Sequence, residues 1–192
     1  MSSSRWSARL LVFVALTFPL RAKAQVARPL SLDATAGPGY VVGGPEVLTR
    51  GSMVADGLLT IRLRNAERGG WLAGLSASFQ GPPPSGDKCV PGNDGQCLHD
   101  YPQFSSVSVL TGWTNASGRV RMLGGLASVR ATHDDPAAKA DYTLGVPLRG
   151  EFVLAQFSHV AFVASLRATV LPRYRGSAYT LLASGVGVRL FR

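Results

Sequence analysis

The chain has 192 residues, with 20 Lys and Arg against 11 Asp and Glu, a formal net charge of +9 and only 16% charged residues. That length suits one domain with a sizeable core. The basic excess does not make a nucleic-acid binder: four of its residues, Arg5, Arg9, Arg21 and Lys23, fall in the first 24 positions, so residues 25–192 carry about +5. No Lys/Arg stripe or RNA-binding motif accompanies the charge.

The N-terminus places Arg5 and Arg9 before the apolar run "LLVFVALTF" and ends in "AKA" before Gln25. This order of charged, apolar and small residues predicts a secretory signal peptide over 1–24, cleaved after Ala24. The run is much shorter than the ~20 apolar residues of a spanning helix, which argues against a retained anchor. No later run reaches that length without a charge, Gly or Pro, so any membrane passage by residues 25–192 must use a closed barrel.

Turn-forming residues divide the chain into eight extended segments, at 30–42, 57–65, 70–79, 104–114, 118–131, 142–154, 159–171 and 179–191. Helical periodicity is absent from this part of the chain. The first of the better-patterned segments is "WLAGLSASF", where Trp71, Leu75 and Phe79 share one parity and Gly74, Ser76 and Ser78 the other. Successive strand residues face opposite sides, so one face is large and apolar and the other small and polar. In "GRVRMLGGLASVRA" the parity slips around Gly124 and Gly125, which predicts a bulge there. The sixth segment sets Thr143, Gly145, Pro147, Arg149 and Glu151 against Tyr142, Leu144, Val146, Leu148, Phe152 and Leu154. The seventh sets Ser165, Arg167 and Thr169 against Val160, Phe162, Leu166 and Val170. Pro38 and Pro147 each remove a ladder donor and are expected at irregular points of the sheet.

Alternation suits a soluble barrel as well as a membrane one. The polar parity separates them. A water-facing exterior mixes Lys and Glu, yet the three lysines, Lys23, Lys88 and Lys139, all lie outside the segments. The polar face carries Gly, Ser, Thr and isolated arginines instead, which suits a narrow lumen. The large face is therefore predicted to meet lipid, with Trp71 and Phe79 near its two interfaces. The connections are short at "AERG", "NASG" and "AQFSH" and longer at "GGPEVLTRGSMVAD", "QGPPPSGDKCVPGNDGQCLHDYPQ", "THDDPAAKA" and "PRYRGSA". Short turns at one end and longer loops at the other are the pattern of an up-and-down transmembrane barrel.

On these features, and on the last strand "YTLLASGVGVRLFR", residues 25–192 resemble the OmpA/OmpX-like superfamily of small outer-membrane β-barrel proteins of Gram-negative bacteria. The stretch "LGVPLRGEFVL" followed by "AQFSHV" also looks like the sixth strand and third turn of members of that group. The resemblance implies an all-β, eight-stranded antiparallel barrel placed in outer-membrane lipid and lipopolysaccharide by the barrel assembly machinery. No cofactor or metal is expected. Members end on an outward aromatic residue, whereas Phe191 shares the parity of Gly187 and Arg189 and is followed by Arg192.

The polar parity collects Arg62, Arg64, Arg119, Arg121, Arg149, Arg167 and Arg189, with Asp33 and Glu151 as acidic partners. A structural ion network filling the lumen is the expected reading, since eight strands enclose little more than their own side chains. The alternatives are a narrow anion-preferring pore and a soluble, exported, lipocalin-like ligand-binding barrel. A turn near Gln156 and Phe157 pairs Arg167 with residues 146–148, leaving Arg149 adjacent and Glu151 diagonal to it. Cys89 and Cys97, in "CVPGNDGQC", predict a disulfide in the longest outer loop rather than a metal site, for which His99 and Asp100 add little. An enzyme would need His99, His133 or His159 beside a Ser and a carboxylate, and no such motif is present, so a non-enzyme is expected. "NASG" matches a glycosylation sequon but is also good turn chemistry, and "HDDP" is an acidic loop that reads as solvated. The outer loops are left to bind a partner whose identity their residues do not name.

Overall fold

A computed structural model describes residues 30–43, 50–66, 69–81, 102–132, 139–174 and 176–192, with backbone only at 50, 51 and 64–66. The segment 1–24 and its cleavage site lie outside the described residues. Eight strands follow in chain order: β1 Leu30–Gly43, β2 Arg50–Ala66, β3 Gly69–Gln80, β4 Gln103–Asn115, β5 Val120–Thr132, β6 Asp141–Gln156, β7 Val160–Tyr174 and β8 Ser177–Phe191. Each pairs antiparallel with the next, and β8 pairs with β1, so the sheet closes into a barrel with no free edge.

The alternation decides what faces out. On β3, Trp71, Leu75 and Phe79 are exposed while Leu72, Gly74 and Ser76 are buried. Leu144 and Tyr142 on β6 are each 71% exposed, and Phe152 and Phe162 about half exposed. The large face of "WLAGLSASF" is the outer one. Burying it in water would leave an apolar belt around the whole barrel, far beyond the patch a soluble monomer tolerates.

Three differences from the sequence expectation have identifiable causes. There is no bulge at Gly124 and Gly125: β5 pairs with β4 in one register from Arg121 to Thr132. The chemistry slips there, not the geometry, because Leu123 and Val129 face the lumen while Arg130 and Ser128 face out. Gly125 is inward, and a Cβ on it would overlap the carbonyl of Val109, so the glycine is needed where adjacent backbones crowd at the tight curvature of a small barrel. The bulges fall instead between Arg62 and Arg64, Val153 and Ala155, and Leu171 and Tyr174. Second, β2 begins at Arg50 rather than near residue 57, which brings Asp56 into the sheet. Third, β7 and β8 stay paired as far as Tyr174 and Ser177, with Gly176 at φ +80° beside them, in place of the longer loop expected from "PRYRGSA".

The prolines sit where a ladder is interrupted. β1–β8 pairing stops at Ala36↔Val186 and resumes at Gly39↔Ala183, bracketing Pro38. β5–β6 pairing likewise skips from Gly124↔Leu148 to Ala127↔Gly145, bracketing Pro147. A residue without an N–H is tolerated there because no ladder bond is lost. At the opposite end, Asn115 makes the 116–119 turn. Its Oδ1 accepts from the backbone N–H of Arg119 at 2.9 Å and of Val120 at 3.2 Å, and Gly118 takes φ +70°.

Candidate functional site: the charged lumen

The lumen is filled in layers. At the end bearing the longer connections, Phe104, Val129, Leu171, Tyr174 and Leu181 form a buried cluster. Edge-to-face contacts join Phe104 to Tyr174 at 5.8 Å and Tyr174 to Tyr179 at 5.3 Å. At the short-turn end Val153, Ala161 and Val163 pack with Phe191, which therefore turns inward, while Leu190 is the exposed neighbour. Leu58, Leu72, Leu110 and Leu123 line the β2–β5 side. These inward apolar residues, unremarked in the alternation, flank a charged middle.

That middle joins side chains from six strands. Arg189 on β8 grips Asp33 on β1 through two hydrogen bonds, Nε to Oδ1 at 2.8 Å and Nη2 to Oδ2 at 3.0 Å. The two residues are direct cross-strand partners and both side chains are fully buried. Arg189 Nη2 also donates to Glu151 Oε2 at 2.5 Å, and Arg149 Nε donates to Glu151 Oε1 at 2.8 Å. Arg121 lies 3.4 Å from Asp33 and 4.0 Å from Glu151, and donates to Ser31 Oγ at 2.9 Å and Thr60 Oγ1 at 3.1 Å. Burying a charge is tolerated only when it is paired and its hydrogen bonds are met, and shared carboxylates do this here.

Asp56 completes the network, and the sequence reading missed it by beginning the second strand too late, at residue 57. Its carboxylate takes Arg149 Nη1 at 2.5 and 2.6 Å and Arg167 Nη1 at 3.5 Å. The alternation of Thr60 and Leu58, extended two residues toward the N-terminus, would have placed Asp56 on the same inward face.

The structure thus brings together Asp33, Arg121, Arg149, Glu151, Arg167 and Arg189. Arg62 is half-buried beside them and inward, opposite Leu72. The bulge that follows pairs Arg64 with the outward Trp71, breaking its alternation with Arg62; the Arg64 side chain lies outside the described residues. Arg119 lies in the turn before β5, not on a strand. The expected register of β6 and β7 is corrected as well. Arg167 pairs directly with Arg149, not with 146–148, because the turn closes at Phe157 to Val160 and the Val153/Ala155 bulge absorbs a residue. Arg167 consequently reaches Asp56 across the lumen, with no ion pair to Glu151.

Cys89, Cys97, His99 and His133 lie outside the described residues. His159 is exposed in the short turn between β6 and β7. Among the described residues, no group of three His, Cys, Asp or Glu side chains is placed to hold a metal ion.

Fold and lumen define an eight-stranded up-and-down barrel of the outer-membrane kind, closed and filled by its own side chains. The solved structures it resembles belong to that class. Neisserial surface protein A superposes with a TM-score of 0.60 at 10% identity, covering 85% of this chain and 97% of that one. Ail, the attachment invasion locus protein of Yersinia pestis, does so with a TM-score of 0.54 at 12% identity, covering 86% of this chain and 100% of that one. Ail has also been solved in complex with the heparin analogue sucrose octasulfate, and that structure superposes with a TM-score of 0.50 at 12% identity, over 86% of this chain and 100% of that one. No protein-family model matches the sequence, and no curated protein matches it either.

Proposed function

We propose that this protein is a closed outer-membrane scaffold that acts through its outer connections rather than by conducting solute. The observation that carries the reading is the filled lumen: an ion network on six strands, flanked by the Phe104–Tyr174 cluster at one end and by Val153, Val163 and Phe191 at the other. Such a filling argues against a continuous water path and favours a rigid base for the loops. The exposed belt of Trp71, Leu75, Leu148, Phe152 and Phe162 supports insertion in lipid over the lipocalin-like alternative. A signal peptide over 1–24 is part of the same proposal, as are export, assembly by the barrel machinery and a lipopolysaccharide-rich surrounding.

The outer connections at 44–49, 81–102, 133–140 and 175–176 hold Glu46, Asp87, Asp94, Asp100, Asp134 and Asp135 against Lys88, Lys139 and Arg175. An acidic loop set favours a basic or cation-bridged partner, so the sulfated ligand of Ail is not carried over to this chain.

Planar-bilayer recording tests the scaffold. The native protein is expected to conduct negligibly; a stable, sizeable conductance would overturn the reading in favour of a basic pore. Fractionation and gel mobility with and without boiling test the membrane barrel, since a closed barrel resists detergent until heated. Recovery in the soluble periplasmic fraction would restore the ligand-binding alternative.

A further inference from the structure

The closed barrel makes no use of the inverted chemistry of β5. From Leu126 to Thr132 the strand keeps one register with β4, yet Val129 and Ala131 are fully buried in the lumen while Ser128 and Arg130 are exposed on the outer face. Arg130 stands directly opposite Ser105 on β4 and Tyr142 on β6, so these three side chains share that face. Near the same end, β1, β2 and β3 show Tyr40, Met53 and Phe79 instead. The outer end of the belt is thus apolar or aromatic over β1–β3 and polar over β4–β6.

The depth of the arginine narrows what it meets. Arg130 is four residues beyond Leu126, the middle of β5, which at ~3.3 Å per residue and a tilt of ~40° sets it about 10 Å from mid-strand. An apolar band ~25 Å tall ends about 12 Å from its middle, so the guanidinium reaches the headgroup layer rather than the hydrocarbon centre. Among the described residues no hydrogen bond or ion pair satisfies it. Asp141, the acid next to it in the sheet, pairs with the inward Ala131 and lies on the other face. An arginine that only reached for water would need no polar company, whereas here the hydroxyls of Ser105, Ser128 and Tyr142 share its face. A second basic residue follows two strands on. Arg173 is exposed in the bulge of β7, and its carbonyl accepts from Thr143 Oγ1, beside Tyr142, at 3.1 Å. Two strand spacings, about 10 Å, separate the two arginine positions.

We propose that this sector of β4–β7 is a binding site for one lipopolysaccharide molecule of the outer leaflet, with Arg130 and Arg173 each taking one phosphate of its phosphorylated disaccharide headgroup. The proposal rests on the outer-membrane reading given above and names a partner for it. The planar fork of an arginine matches the oxygens of a phosphate, and the hydroxyls add donors beside it. Val107 and Leu144, which flank Ser128 on the neighbouring strands and are exposed, lie where acyl chains descend from such a headgroup. The spacing of the arginines suits a disaccharide phosphorylated at both ends, whereas a glycerophospholipid such as phosphatidylglycerol offers one phosphate.

Native mass spectrometry of the folded barrel in zwitterionic detergent tests the site, with bisphosphorylated lipid A, lipid A stripped of both phosphates, and phosphatidylglycerol as probes. The wild type is expected to retain one lipid A, and to hold the other two lipids at least about tenfold more weakly, the loss of one charge-assisted hydrogen bond. Arg130→Gln should weaken lipid A retention by a similar factor, Arg130→Lys should restore part of it, and Arg192→Gln at the opposite end should leave it unchanged. In lipid-free detergent Arg130→Gln should unfold at the wild-type midpoint and lose only the shift that lipid A adds, a pattern that a purely structural arginine would not give. Phosphatidylglycerol held as tightly as lipid A, or lipid A retention undiminished in Arg130→Gln, overturns the site. If that variant does not fold, the stripped lipid decides, since its retention by the wild type at the level of intact lipid A overturns the site equally. Recovery of the protein in the soluble fraction would remove the membrane reading itself, while unselective retention by a protein that stays in the membrane removes the site alone.

Discussion

Glu151 is the carboxylate on which the network turns, and its removal gives the sharpest test of how dry that network is. Its side chain is fully buried; one oxygen accepts from Arg149 at 2.8 Å and the other from Arg189 at 2.5 Å, with Arg121 at 4.0 Å. Two hydrogen bonds to charged groups are worth about 1.5–3 kcal/mol each, about 3–6 kcal/mol together. Deleting one partner of a buried pair costs about 3–5 kcal/mol, since the arginines left behind stay desolvated. Glu151→Ala leaves Asp33 and Asp56 facing Arg121, Arg149, Arg167 and Arg189. The expected loss is therefore about 3–5 kcal/mol in urea unfolding of the folded barrel in detergent. Glu151→Gln, which keeps the volume and one acceptor, should fall between the wild type and Glu151→Ala. Ser117→Ala, in the exposed 116–119 turn, should stay within about 0.5 kcal/mol. A Glu151→Ala cost below about 1 kcal/mol would mean that water already screens the arginines, and the filled lumen would have to be abandoned.

Two further outcomes test the outer face and the longest connection. Leu148→Arg or Phe162→Arg, at positions about half exposed on the apolar belt, should each destabilise the barrel by about 2–4 kcal/mol in bilayers; spin labels there that met water and not lipid would contradict the orientation. Alkylation of protein isolated from cells should find Cys89 and Cys97 unreactive until reduced, with a loss of about 2–3 kcal/mol on reduction in the chain-entropy account; two free thiols would remove the disulfide.

Alternation along single strands was enough to establish the number of strands, the antiparallel barrel and the outward face. The period of two is a property of each strand alone, and residues such as Leu148, Glu151, Phe162 and Arg167 declare their sides without reference to any neighbour. Most of the inward charges could be named for the same reason, although Asp56 was missed and Arg119 lies in a turn. Which of them meet could not, because contacts across the lumen depend on the stagger of all eight strands at once. Arg149 meets Asp56, 93 residues away, and Arg189 meets Asp33 at a separation of 156. A one-residue bulge at Val153/Ala155, set by local packing and turn geometry, moved Arg167 opposite Arg149. The inward leucines and aromatics were illegible for a related reason. Hydrophobicity alone does not distinguish a residue facing lipid from one filling a lumen, so Phe104 and Leu123 became interior residues only when closure of the sheet gave the barrel an inside.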